Sequence, residues 1–180
     1  MKLPQLSENQ LCLGVALDIP EPLATRLREA RGCFEDEDAH IPPHITLIPP
    51  LALDAAHLPK VRDHLAATIK PRRPFKVHLH STGSFRPVSP TVFVRVEQGA
   101  PDCAALEADV RAGPLTYQAG FDFCPHVTLA HQVDEATLNR ALTAMAAFDE
   151  TFVAKKVDLW QLHLDGNVTH LEHYLMEGSQ

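Results

Sequence analysis

Apolar and polar positions along the chain switch between a period near two and a period near 3.6. The first segment with period two is LCLGVALDI (11–19), rich in apolar residues, which predicts a strand. Pro20 ends it, and EPLATRLREARG follows as a helix with Pro22 in its first turn and Gly32 at its end. CFEDEDAHIPP predicts an acidic loop, and HITLI (44–48) a short strand. Around that strand Pro43 and Pro49 hold the residues before them, Pro42 and Ile48, in extended geometry. DAAHLPKVRDHLAATI (54–69) then predicts a helix with Asp54 as N-cap, and FKVHLHS (75–81) a strand.

The second half runs through the same order. TVFVRVE (91–97) predicts a strand and PDCAALEADVRAG (101–113) a helix closed by Gly113. HVTLA (126–130) follows as a strand, DEATLNRALTAMAAF (134–148) as a helix and FVAKKVDLWQLHL (152–164) as one strand. A hairpin through Asp165, Gly166 and Asn167 leads into VTHLEHYLM. The turn-rich STGSFRPVSP (81–90) joins the halves, and corresponding elements recur at an offset of about 80 residues. Two copies are too few for a solenoid, which needs at least three to bury a continuous core. The expected architecture is one domain of two halves related by an approximate two-fold axis, with a cleft between them. Its first repeat covers about 11–81, a linker 82–90, the second repeat about 91–164, and the closing hairpin 157–176.

Composition narrows the partners. The chain has 180 residues, 45% hydrophobic and 22% charged, as in an ordinary folded protein, and no apolar run reaches membrane-spanning length. The start, MKLPQLSENQ, lacks the apolar stretch of a secretory leader, and the four cysteines form no C-x-x-C pair. A cytoplasmic setting with reduced thiols is therefore expected. A net charge of −7 argues against long double-stranded nucleic acid, whose binding draws on many Lys/Arg–phosphate contacts. It leaves room for a small phosphate ligand or one RNA end. Eleven histidines are the compositional excess, and histidine serves as acid, base or ligand near neutral pH.

The chemistry is carried by two matching stretches, PPHITLIPP and CPHVTLAHQ. In a strand, residues i and i+2 share a face. His44 and Thr46 therefore point together, away from Ile45 and Leu47; His126 and Thr128 do the same against Val127 and Leu129. One histidine in an apolar strand is ordinarily a satisfied core or surface residue. A polar pair repeated in both halves, facing away from the shared core positions, is harder to explain by packing. Two histidines from opposite lobes suit proton transfer at a phosphate: one takes a proton from the attacking oxygen, the other gives one to the leaving oxygen. The hydroxyls of Thr46 and Thr128 can donate to the non-bridging oxygens. This scheme calls for no metal and no cofactor.

Two His-x-Thr motifs about 80 residues apart, HITL and HVTL, in a duplicated chain of this length, resemble the 2H phosphoesterase superfamily, in particular its 2′–5′ RNA ligase and RNA 2′,3′-cyclic phosphodiesterase group. The resemblance covers residues from about 11 to 176. It implies an α+β bilobal fold with antiparallel sheets lining a central cleft and helices outside. It further implies a metal-independent phosphodiesterase opening a 2′,3′-cyclic phosphate on RNA ends or small nucleotides, with a 2′-phosphate as the usual product of the RNA-end enzymes. Carried over by motif match, the site residues are His44, Thr46, His126 and Thr128, with His44 assigned as general acid and His126 as base. Where many relatives have Arg or Lys after the second motif, in a pattern like H-x-T-L-A-R, this chain has His131. That departure and the acidic balance favour a small cyclic phosphate over polymeric RNA. The expected partner is thus a nucleotide or RNA-end cyclic phosphate, with no membrane, and the expected state is a monomer.

Other positions carry weaker expectations. Phe85 and Arg86 in GSFRP could stack on a base and pair with phosphate, or form an ordinary turn. His78 and His80 share a strand face and could line the cleft or bind metal, a solvated or lobe-bridging sheet face being the plainer reading. His163, His170 and His173 fit a polar sheet face, and the acidic run at 35–38 a solvated loop. Pro49 and Pro50 have no proline counterpart, because His131 and Gln132 fall there. Two further readings stay open: a module that binds a nucleotide in this cleft without turnover, and a histidine-rich metal protein.

Overall fold

The structure, a computed structural model, describes residues 3–34 and 41–179. The acidic run at 35–38 lies outside them. In chain order the elements are β1 (Gln10–Asp18), α1 (Leu23–Gly32), β2 (His44–Asp54), α2 (Leu58–Ile69), β3 (Phe75–Ser84), β4 (Thr91–Gln98), α3 (Ala100–Arg111), β5 (His126–His131), α4 (Glu135–Ala144), β6 (Asp149–Ala154), β7 (Lys156–Leu162) and β8 (Val168–Leu175). They form two four-stranded antiparallel sheets, ordered β2-β1-β7-β8 and β5-β4-β3-β6. The two motif strands β2 and β5 are edge strands, one from each sheet, and they contact one another. Helix α3 packs on β2, α1 on β5, α2 on β8, and α4 on β3, β4 and β5. One continuous apolar core results, in which Leu13, Leu17, Ile45 and Leu47 meet Leu79, Val94, Val127 and Leu129. Burying side chains of that size is the main favourable contribution to folding. No helix among the described residues is long and apolar enough to cross a membrane.

The expected α+β architecture of two antiparallel sheets is present, with five differences in its parts. The segment 152–164 is two strands, not one: β6 pairs with β3, and β7 with β1 in the other sheet. The reason is visible in the burial phase. Phe152 and Ala154 are buried at even positions and Val157 and Leu159 at odd ones, so the inward face changes across Lys155 and Lys156. Strand β2 does not stop at Ile48 but runs on to Asp54 through Pro49 and Pro50. These two prolines lie opposite the single residue Gly14, between the pairs Leu13↔Leu51 and Val15↔Ile48, so they sit in a bulge of an edge strand. Edge strands and bulges are where a residue without an N–H can be accommodated.

Strand β3 continues past Ser81, whose φ of 59° marks an irregularity in its pairing with β4, and ends at Ser84. Helix α4 stops at Ala144 instead of 148, and the Phe148 carbonyl accepts a hydrogen bond from the Ser81 N–H at 2.8 Å. Asp54 does act as a cap, accepting from the Ala56 N–H at 2.8 Å, but of a short 3₁₀ turn (Ala55–His57) that precedes α2.

Candidate active site

Within β2 the side chains alternate as the pattern predicts: Ile45 and Leu47 are buried in the core, while His44 and Thr46 are half-buried on the opposite face. In β5 Val127 and Leu129 are buried and His126 and Thr128 half-buried. Each strand then bulges just after its threonine. Thr46 pairs with Ala16 but Ile48 with Val15; Thr128 pairs with Phe93 but Ala130 with Val92. The extra residue puts two buried side chains in succession, Leu47–Ile48 and Leu129–Ala130, and reverses the alternation. In β5 this returns His131 to the face of His126 and Thr128. The matching place in β2 is Pro49.

His44, Thr46, His126 and Thr128 line a single cavity of about 290 Å³, with Phe85, His131 and Arg31 around them. Both histidines are held in the same way. The Nδ1–H of His44 donates to the Pro42 carbonyl at 2.7 Å, and that of His126 to the Cys124 carbonyl at 2.8 Å. A carbonyl only accepts, so each ring carries its proton on Nδ1 and, when neutral, a lone pair on Nε2. Neither Nε2 has a hydrogen-bond partner among the described residues. The proline shared by the motifs, Pro43 and Pro125, accounts for this. A proline holds the residue before it extended, here Pro42 and Cys124, whose carbonyls are the ones that accept.

Burial pushes the pKa of both histidines below the ordinary value. For His44 the Pro42 hydrogen bond opposes the shift, the Arg31 charge and His126 add to it, and the Asp158 carboxylate opposes it. For His126 the Cys124 hydrogen bond opposes it. A histidine with a depressed folded-state pKa contributes stability that is complete above its unfolded value, about 6.5, and lost as pH falls through the folded value. The urea midpoint should therefore fall on acidification from pH 7 to 5. The double variant His44→Gln/His126→Gln should show a shallower fall, and an unchanged slope would mean that these two groups are not responsible.

The cavity walls are built by neighbouring strands. Phe85 meets His126 edge-on at 4.9 Å between ring centroids, and Phe93 backs both rings, at 4.3 Å from Phe85 and 5.1 Å from His126. Phe93 has its place because position 83 is glycine: a Cβ there would lie 2.7 Å from its ring. His131 Nδ1 is 2.8 Å from the Thr91 hydroxyl, which is 2.8 Å from that of Ser89. Arg86 is not brought to the cavity. Its guanidinium is taken up by Glu135 at 2.6 Å, Asn139 at 3.0 Å and the Ser84 hydroxyl at 3.1 Å.

Two charged residues at the site escape a reading of the sequence. Arg31, 5% exposed, sits in the last turn of α1, donates to the Ile41 carbonyl at 2.8 Å and lines the cavity. In sequence it looks like a cation complementing a helix C-terminus. Asp158, 4% exposed, lines a smaller adjoining recess of about 90 Å³ together with His44, Thr46, Trp160 and Ile48. It accepts from His170 Nε2 at 3.0 Å. Its only signal is an acidic residue inside an apolar strand. His170 and His173 stack on one another within β8, as expected of a polar sheet face, whereas His163 lies just past the end of β7, with Nε2 2.8 Å from the Thr169 hydroxyl.

The chain as a whole is similar to known proteins. The family model of the 2′-5′ RNA ligase superfamily matches residues 19–166. A protein of Bacillus cytotoxicus that carries the name of a phosphoesterase is 27% identical over 124 residues, covering 69% of this chain and 72% of that one. Among solved structures, Escherichia coli LigT complexed with 3′-AMP superposes with a TM-score of 0.69 at 20% identity, over 93% of this chain and 98% of that one. A protein of Thermus thermophilus superposes at 0.65 and 21% identity, over 94% of this chain and all of its own. Crystal structures of LigT with NADP⁺ and with ATP superpose at 0.68 and 0.64.

Proposed function

Because the chain belongs to the 2′-5′ RNA ligase superfamily, we propose that it is a metal-independent phosphodiesterase opening 2′,3′-cyclic phosphates by acid–base catalysis between His44 and His126. The observation that carries this reading is the pair of imidazoles in one cavity, each tied at Nδ1 to a backbone carbonyl and without a partner at Nε2 among the described residues. In the reaction, His126 Nε2 takes a proton from water as its oxygen bonds to phosphorus. His44, protonated on Nε2, gives its proton to the 3′-oxygen as the P–O3′ bond breaks, leaving a 2′-phosphate. Each histidine ends in the protonation state the other began with, so proton exchange with solvent resets the pair. With a 5′-hydroxyl in place of water the same steps form a 2′–5′ phosphodiester.

Several features support these roles. Asp158 favours the protonated form of His44, and no carboxylate among the described residues does the same for His126. Arg31 opposes protonation of His44 in the free protein, and a bound phosphate offsets that charge while stabilising both imidazolium forms. The Thr46 and Thr128 hydroxyls have no hydrogen-bond partner among the described residues and line the same cavity, where they can donate to the non-bridging oxygens. Phe85, already edge-on to His126, offers an aromatic wall to a nucleoside, and the polar contact of His131 stands where a basic residue would otherwise meet phosphate.

The net charge of −7 and a cavity of about 290 Å³ favour a nucleotide-sized ligand over long RNA. A panel of 2′,3′-cyclic mononucleotides, RNA ends carrying a cyclic phosphate, and 2′–5′ linked oligonucleotides, assayed with a chelator present, tests the reading. Cyclic mononucleotides are expected to be opened in chelator, to the 2′-phosphate. Saturable binding of every member with no conversion would instead make the protein a nucleotide-binding module.

A further inference from the structure

Outside the cavity, β3 and its two neighbours gather a second group of ligand-type side chains. His78 and His80 occupy alternate positions of β3, on the face opposite Val77 and Leu79, which are fully buried. One ligand atom from each of His78, His80 and Glu97 lies within 4.8 Å of the other two. Glu97 comes from β4, and Asp149 from β6, directly across from His80. We propose that this group is a binding site for one divalent transition-metal ion of the zinc class, with His78 Nδ1, a ring nitrogen of His80 and the Glu97 carboxylate as ligands and Asp149 orienting His78.

Two local observations point to a cation and not simply to a polar surface. His78 has carboxylate oxygens at both ring nitrogens, Asp149 at 2.7 Å from Nε2 and Glu97 at 3.2 Å from Nδ1. A neutral imidazole has one N–H and can satisfy one of them, leaving the other lone pair against a carboxylate. With Nε2–H committed to the shorter contact with Asp149, a metal shared by Nδ1 and Glu97 relieves that opposition. Ligands at zinc distances of about 2.0–2.1 Å stand roughly 3.3 Å apart in a tetrahedron, close to the 3.2 Å between His78 Nδ1 and Glu97. The carboxylate–histidine pair then has the form that fixes the tautomer of a metal-bound imidazole. Secondly, His80 Nδ1 is buried and makes no hydrogen bond to any described residue, although it lies 3.7 Å from Asp149. Two imidazoles and one carboxylate, with a fourth position for water, match the ligand preferences of zinc.

The site belongs to the sheet that carries His126 but not to the acid–base pair. His80 and His126 both pair with Arg95, from opposite sides, which separates them by two strand spacings, about 10 Å. A metal there ties β3 to β4, in the sheet that carries His126, and leaves the proton transfers to His44 and His126.

Chelator-treated full-length protein titrated with Zn²⁺ in a calorimeter is expected to bind about one ion per chain. Asp149→Asn should weaken that binding about 10–100-fold, the usual cost of losing a partner of a metal-bound histidine. His78→Ala, His80→Ala and Glu97→Gln should each remove it, with far-UV circular dichroism confirming the fold. Glu97→Gln alters an exposed side chain and serves if a histidine variant does not fold. Co²⁺ in place of Zn²⁺ should give visible ligand-field bands that vanish in His78→Ala and persist in His44→Ala/His126→Ala. Absence of saturable Zn²⁺ binding overturns the proposal, leaving a hydrogen-bonded polar cluster. Binding that survives His78→Ala and Glu97→Gln but is lost in His44→Ala/His126→Ala overturns it equally, and would also contradict the acid–base reading of the cavity.

Discussion

His126→Ala is expected to lower the rate of 2′,3′-cyclic phosphate opening by about 10²–10⁴-fold, and His44→Ala by a similar factor. In the proposed reaction each removes one of two proton transfers on which a single displacement depends. The effects should therefore not multiply, and the double variant should be little slower than the worse single one. His126 also packs against Phe85 and Phe93, at 4.9 and 5.1 Å, so alanine there opens space beside two aromatic rings. His126→Gln separates the two consequences, because an amide fills much of that volume and can still donate to the Cys124 carbonyl. The expected result is a folded protein with unchanged ligand binding and the full kinetic loss. Activity within a few-fold of the parent chain in either single variant would exclude acid–base roles for these two residues.

The second large effect concerns the hydroxyls. Thr128→Val and Thr46→Val keep the branched shape and remove one donor each, and each should cost about 10²–10³ in kcat, the usual loss on removing one donor to a developing oxyanion. Charge on the non-bridging oxygens grows toward the transition state, so the loss should fall on kcat with KM little changed. Thr→Ser at the same positions keeps the hydroxyl and should restore most of the rate. Equal rises in KM with kcat preserved would show ordinary ground-state binding instead.

Much of this site is legible in the chain because it is local. A period of two over HITL and HVTL decides which side chains share a face, and the repeat at about 80 residues marks both copies as parts of one arrangement. Even the holding of the two histidines is local, since a proline before each one sets the geometry of the residue whose carbonyl accepts its proton. The prolines around the two motifs thus have two uses: Pro43 and Pro125 hold the carbonyls that meet the imidazoles, while Pro49 and Pro50 sit in a bulge of an edge strand. The break at Lys155 is present as well, in the shift of buried positions from even to odd, though the unbroken apolar character of the segment conceals it.

The chain alone decides which residues alternate, which recur and which have side chains able to move a proton, because backbone sterics and side-chain type act over a few positions. Tertiary structure alone decided which strands became neighbours, since pairing between distant segments depends on how whole faces bury against each other. It placed Arg31 and Asp158 beside His44 from a helix end and from a strand more than a hundred residues away. It turned Arg86 toward Glu135 and Asn139, and through a bulge it returned His131 to the cavity face. Each of these depends on partners supplied by other elements, and a one-dimensional pattern holds no record of them.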